Sequence, residues 1–342
     1  MTRQSLWFDA PRHVTVREES LPEPAPGEVG VKTHASAISP GTEMLIYRGE
    51  FPEGMAADEG IAALGGALAY PLKYGYATVG QVNALGSGVT SEWLGRWVFA
   101  FHPHESDFAA PVESLLPIPP GIAPEDALFL PNTETAVNFL LDGAPLIGEQ
   151  VAVFGQGVVG LLTTALLARL PLGNLTTFDR LANRRAASLA MGARASLEPV
   201  DADGAVRLRA LLNTGGYEGA DLVYELSGAP AALDQAIAAA GFSGRVVLGS
   251  WYGRKRASLD LGGRFHRARI RLISSQVSTL TPELHGRWTK TRRMGVAWER
   301  LRELRPSQLI THRYPFAMAA EAYAQVDLRP AETLQVILTH TA

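Results

Sequence analysis

Three glycines carry the clearest chemical signal in this amino-acid sequence. Gly155, Gly157 and Gly160 form a GxGxxG pattern between an apolar run, Val151–Phe154, and the helical run LLTTALLARL. The first glycine of such a pattern permits a tight turn, the second lets backbone N–H groups approach a pyrophosphate, and the third lets helix and strand pack closely. The helix N-terminus at Val158 would then face the phosphate charge. The pattern predicts a dinucleotide-binding turn, although alone it is weak evidence.

A carboxylate farther along the chain supports this prediction. A second apolar run, Leu175–Phe178, ends at Asp179, 19 positions after the third glycine, where an acidic residue would accept the ribose hydroxyls. The alternative role for Asp179 is an ordinary helix N-cap. Because a carboxylate repels a 2′-phosphate, we expect NAD(H) as the cofactor. NADP(H) stays possible, since Arg180 and Arg185 could pair with a phosphate.

The composition limits the class of protein. The chain has 342 residues, of which 46% are hydrophobic, so it can bury the cores of two domains. The net charge is −3 and no long basic run is interleaved with aromatics, so we expect no nucleic-acid partner. No N-terminal apolar leader and no run of about 18 apolar residues occurs, so we expect a cytoplasmic protein without membrane insertion. The sequence has no cysteine, which excludes disulfides and a redox thiol.

The pattern of strands and helices changes along the chain. Up to about residue 130, short strand candidates are separated by proline and glycine, which is typical of a β-rich domain. From Thr133 to about Gln276, apolar strands alternate with helices predicted near residues 158–170, 181–191, 204–213 and 230–240. Such alternation predicts a doubly wound parallel sheet.

The end of the chain is expected to return to the first domain. A basic helical stretch, Arg287–Leu304, precedes a strand-like stretch, Thr333–Thr339. The sequence therefore predicts a catalytic domain of residues 1–132 and 277–342, and a dinucleotide-binding domain of residues 133–276.

Segments along the whole chain resemble one family, the medium-chain dehydrogenase/reductase superfamily of the alcohol dehydrogenase type. They are LPEPAPGEVGVKTHASAISPGTE, YPLKYGYATVGQV, LFLPNTETAVNF, GQGVVG, DLVYELSG, GRVVLGS and ETLQVILTH. AISPGTEMLIYRGEFP, YPLKYGY and LITHRYP are most similar to the branch that contains hydroxyethyl-bacteriochlorophyllide dehydrogenase. The resemblance implies an α/β fold, with a GroES-like β-rich catalytic domain and a Rossmann nucleotide-binding domain. We also expect a small-molecule substrate and assembly as a homodimer or homotetramer.

The metal positions of the family are substituted. Ser39 stands where zinc-dependent members place a cysteine, the sequence Gly75-Tyr76-Ala77 replaces their Gly-His-Glu, and the third ligand position falls near Pro131 or Asn132. Serine and tyrosine are poor zinc ligands compared with thiolate, imidazole or carboxylate. The resemblance therefore predicts an enzyme without zinc.

A different metal site is conceivable in the sequence AFHPHESD. His102 and His104 would share one face of a strand beside Glu105. Pro103 between them and the lack of a further ligand argue against it. We expect no metal.

Hydride transfer to or from a carbonyl needs a partner for the oxygen on which charge develops. Tyr76, at the former histidine-ligand position, is the first candidate, and the alternative is a ring that merely forms apolar wall. Glu43 matches an acidic family position, and a structural ion pair is its alternative role. The remaining catalytic candidates are Ser39, Thr42, His102 and Glu134.

The resemblance also assigns residues to the cofactor. It places Arg184 near the adenosine ribose, Thr135 beside the nicotinamide, and Ser227 and Gly249 at the edge of the sheet. Where relatives often have an arginine for the pyrophosphate, this chain has Gln335. The full predicted set is Gly155, Gly157, Val158, Gly160, Asp179, Arg180, Arg184, Thr135, Ser227 and Gly249.

These observations predict a zinc-independent NAD(P)-dependent oxidoreductase. It would transfer hydride between the nicotinamide cofactor and a secondary alcohol or ketone of a bulky apolar metabolite. An enoyl reductase acting on a carbon–carbon double bond is the enzymatic alternative. A nucleotide-binding module without catalysis is the other, because a fold alone does not prove a function.

Overall fold

The computed structural model describes residues 2–52, 54, 62–199, 212 and 218–340. The chain divides into two compact units: unit 1, which comprises Met1–Pro131 and Leu301–Ala342, and unit 2, which comprises Asn132–Arg300.

The strands of the described residues, in chain order, are β1 (Thr2–Ala10), β2 (His13–Ser20), β3 (Glu28–Ile38), β4 (Thr78–Leu85), β5 (Trp97–Ala100), β6 (Asp107–Pro111), β7 (Leu115–Pro117), β8 (Gln150–Phe154), β9 (Asn174–Phe178), β10 (Ala195–Leu197), β11 (Ala220–Glu225), β12 (Ala240–Leu248), β13 (Arg271–Ser274), β14 (Ile310–Pro315) and β15 (Gln335–Thr339). The α-helices are α1 (Thr42–Arg48), α2 (Pro124–Ala127), α3 (Leu130–Gly143), α4 (Val158–Leu167), α5 (Ala182–Ala190), α6 (Pro230–Ala239), α7 (Lys290–Leu304) and α8 (Ala319–Leu328).

Unit 1 is rich in β-strands. Its main sheet has the order β14, β15, β3, β4, β5, β7, with β6 also paired to β3, and only the pair β14 and β15 is parallel. Strands β1 and β2 form a separate antiparallel pair. In β3 the buried residues Val29, Val31 and Thr33 alternate with less buried ones, as expected for a strand with one face on a core. Ser36 of β3 lies opposite Thr78 of β4, so the C-terminal end of β3 lies beside the start of β4.

Unit 2 contains a parallel sheet of six strands in the order β10, β9, β8, β11, β12, β13. Every residue of β8 is buried, because this sheet packs hydrophobic residues on both faces. Ala152 and Phe154 belong to one core cluster and Val151 and Val153 to the other. The strand order reverses between β8 and β11, which is where sheets of this topology bind dinucleotides.

The predicted fold class is confirmed. The strand predicted at Val151–Phe154 is β8, and the basic helix predicted at 287–304 is α7. The helix predicted near 204–213 lies almost entirely outside the described residues. Within the described part of the chain, no helix combines the length and apolar character needed to cross a membrane.

Candidate functional site

The glycine turn of unit 2 joins β8 to α4. Gly155 has a φ of +91°, and a Cβ atom there would lie 2.5 Å from the Cα of Ser227. A Cβ at Gly160 would lie 2.0 Å from the carbonyl oxygen of Gly155. The space at Gly157 is open by comparison, since the nearest atom to a Cβ would be Nη1 of Arg184 at 4.0 Å. The turn therefore leaves room for a ligand at the N-terminus of α4, which begins at Val158.

Asp179 follows β9 and is held by two backbone donors. Its Oδ2 accepts from the N–H of Gln156 at 2.7 Å, and its Oδ1 accepts from the N–H of Leu181 at 2.9 Å. The first of these bonds attaches the carboxylate directly to the glycine turn. Because a carboxylate has about four acceptor positions, both oxygens can also accept ribose hydroxyls.

The arginines after Asp179 are arranged differently from one another. Nη1 of Arg185 donates to the carbonyl oxygens of Asp179 at 2.8 Å and of Arg180 at 2.9 Å. This guanidinium therefore stabilises the local backbone. Nη1 of Arg184 lies 3.9 Å from Oδ2 of Asp179, and burial lowers the pKa of Arg184. Arg180 is exposed.

A second buried carboxylate organises the edge of the sheet at β11. Glu225 is fully buried, and its Oε1 accepts from the N–H of Ser227 at 2.8 Å and from the Ser227 hydroxyl. Its Oε2 accepts from the hydroxyl of Tyr252 at 2.8 Å. Burial and the charge of Glu225 raise the pKa of Tyr252. Gly249 lies just beyond β12, where a Cβ would come within 2.3 Å of the Phe139 ring.

These features of unit 2 fit a nicotinamide dinucleotide. The tight glycine turn, the open helix N-terminus, the anchored Asp179 and the oriented Ser227 all lie at the carboxyl ends of the parallel strands. Thr135 is partly buried on α3. The sequence did not indicate Glu225 and Tyr252, although an acid at the end of a buried strand was a possible signal.

The carboxylate of Glu134 is hydrogen-bonded to an arginine of unit 2. Its Oε1 accepts from Nε of Arg293 at 3.1 Å and from Nη2 at 2.9 Å, and Arg293 is almost completely buried. Nη1 of the same arginine donates to Oδ1 of Asn138 at 2.5 Å. Burial raises the pKa of Glu134 despite the opposing effect of Arg293. The candidate catalytic carboxylate therefore takes part in a buried ion pair.

In unit 1, the structure brings Ser39 and Tyr76 together. Ser39 follows the end of β3 and Tyr76 precedes β4, and the Tyr76 hydroxyl donates to Oγ of Ser39 at 2.5 Å. Both residues are partly buried. Thr42 begins α1 and is also partly exposed.

This donor set does not suit zinc. Two of the three family ligand positions carry hydroxyls, which are bonded to each other in the structure and are poor ligands beside thiolate or imidazole. Across the described ranges, no group of three or more histidine, aspartate or glutamate side chains is placed to hold a metal ion.

Glu43 lies in the first turn of α1 and is fully buried. It accepts from the N–H of Ser39 at 3.0 Å, from Nε2 of His104 at 2.9 Å and from the Tyr323 hydroxyl at 2.6 Å. Burial and the Glu43 carboxylate raise the pKa of Tyr323 well above its ordinary value. A fully buried carboxylate cannot contact a substrate in this structure, so Glu43 acts on other protein groups. His104 was predicted only as part of a weak metal site, and Tyr323 was not predicted at all.

His102 belongs to a separate cluster of charges. Its Nε2 lies 3.0 Å from Oε2 of Glu105, and its ring stacks on Phe108 with a centroid distance of 3.9 Å. Glu105 also accepts from Arg3 and Lys73. We call the set Arg3, Glu19, Lys73, His102 and Glu105 the ionic cluster. The structure thus places His102 in a network of ion pairs.

Gln335, which replaces the expected arginine, is turned into the sheet of unit 1. Its Nε2 donates to the carbonyl oxygens of Ile38 at 2.8 Å and of Val336 at 2.7 Å.

Comparisons with known proteins agree with this architecture. No family model matches the chain. The chain is 25% identical to D-guloside 3-dehydrogenase of Escherichia coli K12 over 271 residues, which cover 78% of this chain and 77% of that protein. It is 21% identical to the starvation-sensing protein RspB of the same organism over 367 aligned positions, which cover 98% and 99% of the two chains.

Solved structures show the same fold. An rspB alcohol dehydrogenase from E. coli CFT073, in complex with NADH, superposes with a TM-score of 0.79 at 20% identity and 99% coverage of both chains. A dehydrogenase from Sinorhizobium meliloti 1021, bound to NADP, gives a TM-score of 0.78 at 19% identity and the same coverage. The predicted superfamily is confirmed, whereas the narrower branch stays a prediction. In sequence and fold, the chain is similar to the alcohol dehydrogenase-like oxidoreductases of the medium-chain dehydrogenase/reductase superfamily.

Proposed function

We propose that this enzyme transfers hydride between NAD(H) and a secondary alcohol or ketone without zinc. The observation that carries the proposal is the bonded pair of hydroxyls, Ser39 and Tyr76, at positions where zinc-dependent relatives hold the metal. Two hydroxyl groups can donate hydrogen bonds to a substrate oxygen, but they cannot replace the ligands of a zinc ion.

The residues of unit 2 would hold the cofactor, which supplies the hydride when bound. The open backbone at Gly157 and the N-terminus of α4 would receive the pyrophosphate. Asp179 would accept the ribose hydroxyls, and Glu225 keeps Ser227 in a fixed orientation at the edge of the sheet.

The pair in unit 1 would serve the substrate oxygen. When a ketone receives hydride on carbon, negative charge develops on its oxygen, and a phenol hydrogen-bonded there stabilises that charge and delivers the proton. Tyr76 would turn its single O–H toward the substrate. The Ser39 hydroxyl, which now accepts from Tyr76, would then donate to the phenol oxygen. In the direction of alcohol oxidation, the Tyr76 phenolate, with Ser39 donating to its oxygen, would take up the proton of the alcohol.

We favour NAD(H) over NADP(H). Asp179 is fixed beside the glycine turn by two backbone bonds, and Arg185 is already bonded to backbone carbonyls. A 2′-phosphate would meet the Asp179 charge, with the exposed Arg180 and the partly buried Arg184 as the arginines beside it. One of the solved relatives binds NADH and the other NADP, so the preference must be measured on this chain.

The substrate class is open to a direct test. The sequence predicts a bulky apolar secondary alcohol of the hydroxyethyl-chlorin kind, whereas the name of one relative specifies a D-guloside, which is a sugar derivative. Much of the loop 50–69, where we expect relatives to differ most, lies outside the described residues. A panel of a hydroxyethyl chlorin, 1-phenylethanol and methyl D-guloside, each with NAD+, would separate the two classes. NADH binding without turnover on any ketone or enone would indicate the module without catalysis. Deuterium delivered to the carbon of a C=C bond would indicate an enoyl reductase.

The decisive variant is Tyr76→Phe, measured with the substrate that the panel identifies. It keeps the ring and removes the donor, so kcat should fall by about 10²–10³-fold while KM changes little. Tyr314→Phe is the matched control, because Tyr314 is another partly buried tyrosine packed against the same core, and its kcat should be unchanged. An unchanged kcat in Tyr76→Phe would refute the proposed role of the pair.

A further inference from the structure

The carboxylate of Glu43 is bonded on both oxygens, and one of these bonds leads to the candidate active-site pair. Oε1 accepts from the backbone N–H of Ser39, while Oε2 accepts from His104 and Tyr323. Glu43, His104 and Tyr323 all have a side-chain exposure of 0%. A buried carboxylate is costly unless it is hydrogen-bonded, so these three donors fix where it lies.

Glu43 replaces a conventional cap at the start of α1. Gly41 is the N-cap residue and provides no side-chain cap, but the Glu43 carboxylate reaches back to the N–H of Ser39. A first-turn carboxylate that bonds a preceding N–H fixes the direction in which the chain enters the helix. Glu43 therefore fixes the backbone of Ser39, and this also fixes the point from which the Ser39 side chain extends.

His104 connects this carboxylate to the other half of the pair. Its Nε2 bonds Glu43, and its Nδ1 lies 2.7 Å from Oγ of Ser36 on β3. Its ring also packs against Gly75, the residue before Tyr76, where a Cβ would lie 2.6 Å from Cδ2 of His104. Gly75 has a φ of +128°, so both its conformation and the closeness of the ring require glycine. His104 thus touches the segment that carries Tyr76 while it bonds the group that holds Ser39.

We propose that Glu43, His104 and Tyr323 form a positioning clamp, which keeps the Ser39 and Tyr76 hydroxyls at hydrogen-bond distance. The inference rests on the proposed function, since the clamp acts on that reaction only through the pair. Without metal ligand bonds to fix the two side chains, protein hydrogen bonds must supply the alignment, and a misplacement of about 1 Å can cost about 10²-fold in rate. The clamp residues are positioning residues and do not meet the substrate.

The test compares two substitutions, His104→Gln and His104→Asn, whose side-chain amides imitate different ring nitrogens of the histidine. The Nε2 of glutamine can reach the position of histidine Nε2 and donate to Glu43, whereas the shorter asparagine reaches only the position of Nδ1, near Ser36. We expect His104→Asn to lower kcat by about 10- to 100-fold with little change in KM. His104→Gln should recover most of that loss. Tyr323→Phe, which keeps the ring in the core, supplies a second variant if His104→Asn folds poorly.

Two readouts distinguish positioning from general destabilisation. Hydrogen exchange at the Ser39 amide, followed by NMR in the full-length protein, should accelerate at least tenfold in His104→Asn while strands β3 and β4 keep their protection. In the Tyr76→Phe background, His104→Asn should cause little further loss of kcat, because the group being positioned is already gone.

Independent outcomes identify which proposal fails. Losses of kcat that multiply in the double variant, or unchanged exchange at the Ser39 amide, would overturn the clamp and leave the proposed function standing. A Tyr76→Phe variant with normal kcat would overturn the proposed function itself, and the catalytic role of the clamp with it.

Discussion

The ionic cluster gives a prediction whose size follows from the structure. Glu105 is buried, and its carboxylate accepts from Arg3 Nη1 at 2.8 Å and from Lys73 Nζ at 2.7 Å, with His102 Nε2 at 3.0 Å. Burial alone would raise its pKa, but the hydrogen bonds and charges of His102 and Lys73 outweigh burial and lower the pKa from 4.5 to about 2. Glu105→Gln imitates the protonated carboxyl and removes the charge that these partners bind.

The pKa shift sets the expected loss of stability and its pH dependence. Lowering a carboxyl pKa from 4.5 to about 2 on folding contributes about 3 kcal/mol to the free energy of unfolding at pH 7. Because the folded-state pKa is the lower one, the contribution is full above pH 4.5 and disappears as the pH falls toward 2. Roughly half of it remains at pH 3.

Urea unfolding at pH 7 and pH 3, followed by tryptophan fluorescence, measures this effect. Trp7 lies beside the cluster, with its indole N–H bonded to Glu19, so it reports on this part of unit 1. Glu105→Gln should be less stable than the unmodified protein by about 3 kcal/mol at pH 7 and by roughly half as much at pH 3. Glu92→Gln is the control, because its contact with Arg96 is exposed and contributes at most about 1 kcal/mol. A Glu105→Gln difference below about 1 kcal/mol at pH 7, or one that grows at pH 3, would refute the reasoning.

Two further predictions concern the metal and the cofactor. Elemental analysis should find no stoichiometric zinc in the purified protein, and kcat should survive chelation; about one zinc per chain would contradict the interpretation of Ser39 and Tyr76. NADH should bind more tightly than NADPH in a fluorescence titration. Asp179→Ala should narrow the difference between the two dissociation constants. Tighter binding of NADPH by the unmodified protein would instead assign the exposed Arg180 to a phosphate.

The features that could be predicted from the sequence are those encoded locally. The glycine turn, the two strands around it and Asp179 occupy a short stretch in which the order and spacing of the residues predict the structure. The turn, the helix N-terminus and the carboxylate come together in the structure because the parallel strands β8 and β9 are neighbours. The resemblance placed Ser39 and Tyr76 at former metal-ligand positions, but the hydrogen bond between them was not predicted.

The partners of the buried carboxylates could not be predicted in this way. Glu134 pairs with Arg293, 159 positions away, and Glu43 bonds Tyr323, 280 positions away. Nothing in the local sequence distinguishes an acid that faces a substrate from one that meets a distant arginine or tyrosine in a core. Only the folded chain shows that the carboxylates of Glu43 and Glu134 accept hydrogen bonds from other protein groups.

In both units, a buried carboxylate fixes the backbone of a serine. Glu43 accepts the backbone N–H of Ser39 at 3.0 Å, and Glu225 accepts the backbone N–H of Ser227 at 2.8 Å. Each carboxylate is in turn bonded by a tyrosine hydroxyl, from Tyr323 in one unit and from Tyr252 in the other.

A serine side chain has a single rotatable bond before its hydroxyl, so holding its backbone N–H restricts the hydroxyl to a few positions. The tyrosines are suitable second partners, because burial and the adjacent carboxylate raise the pKa of each phenol and keep it a hydrogen-bond donor. In each unit, the orientation of a serine therefore depends on a buried carboxylate. Ser227 is expected at the cofactor and Ser39 at the substrate, and neither ligand needs to contact the carboxylate that orients the serine.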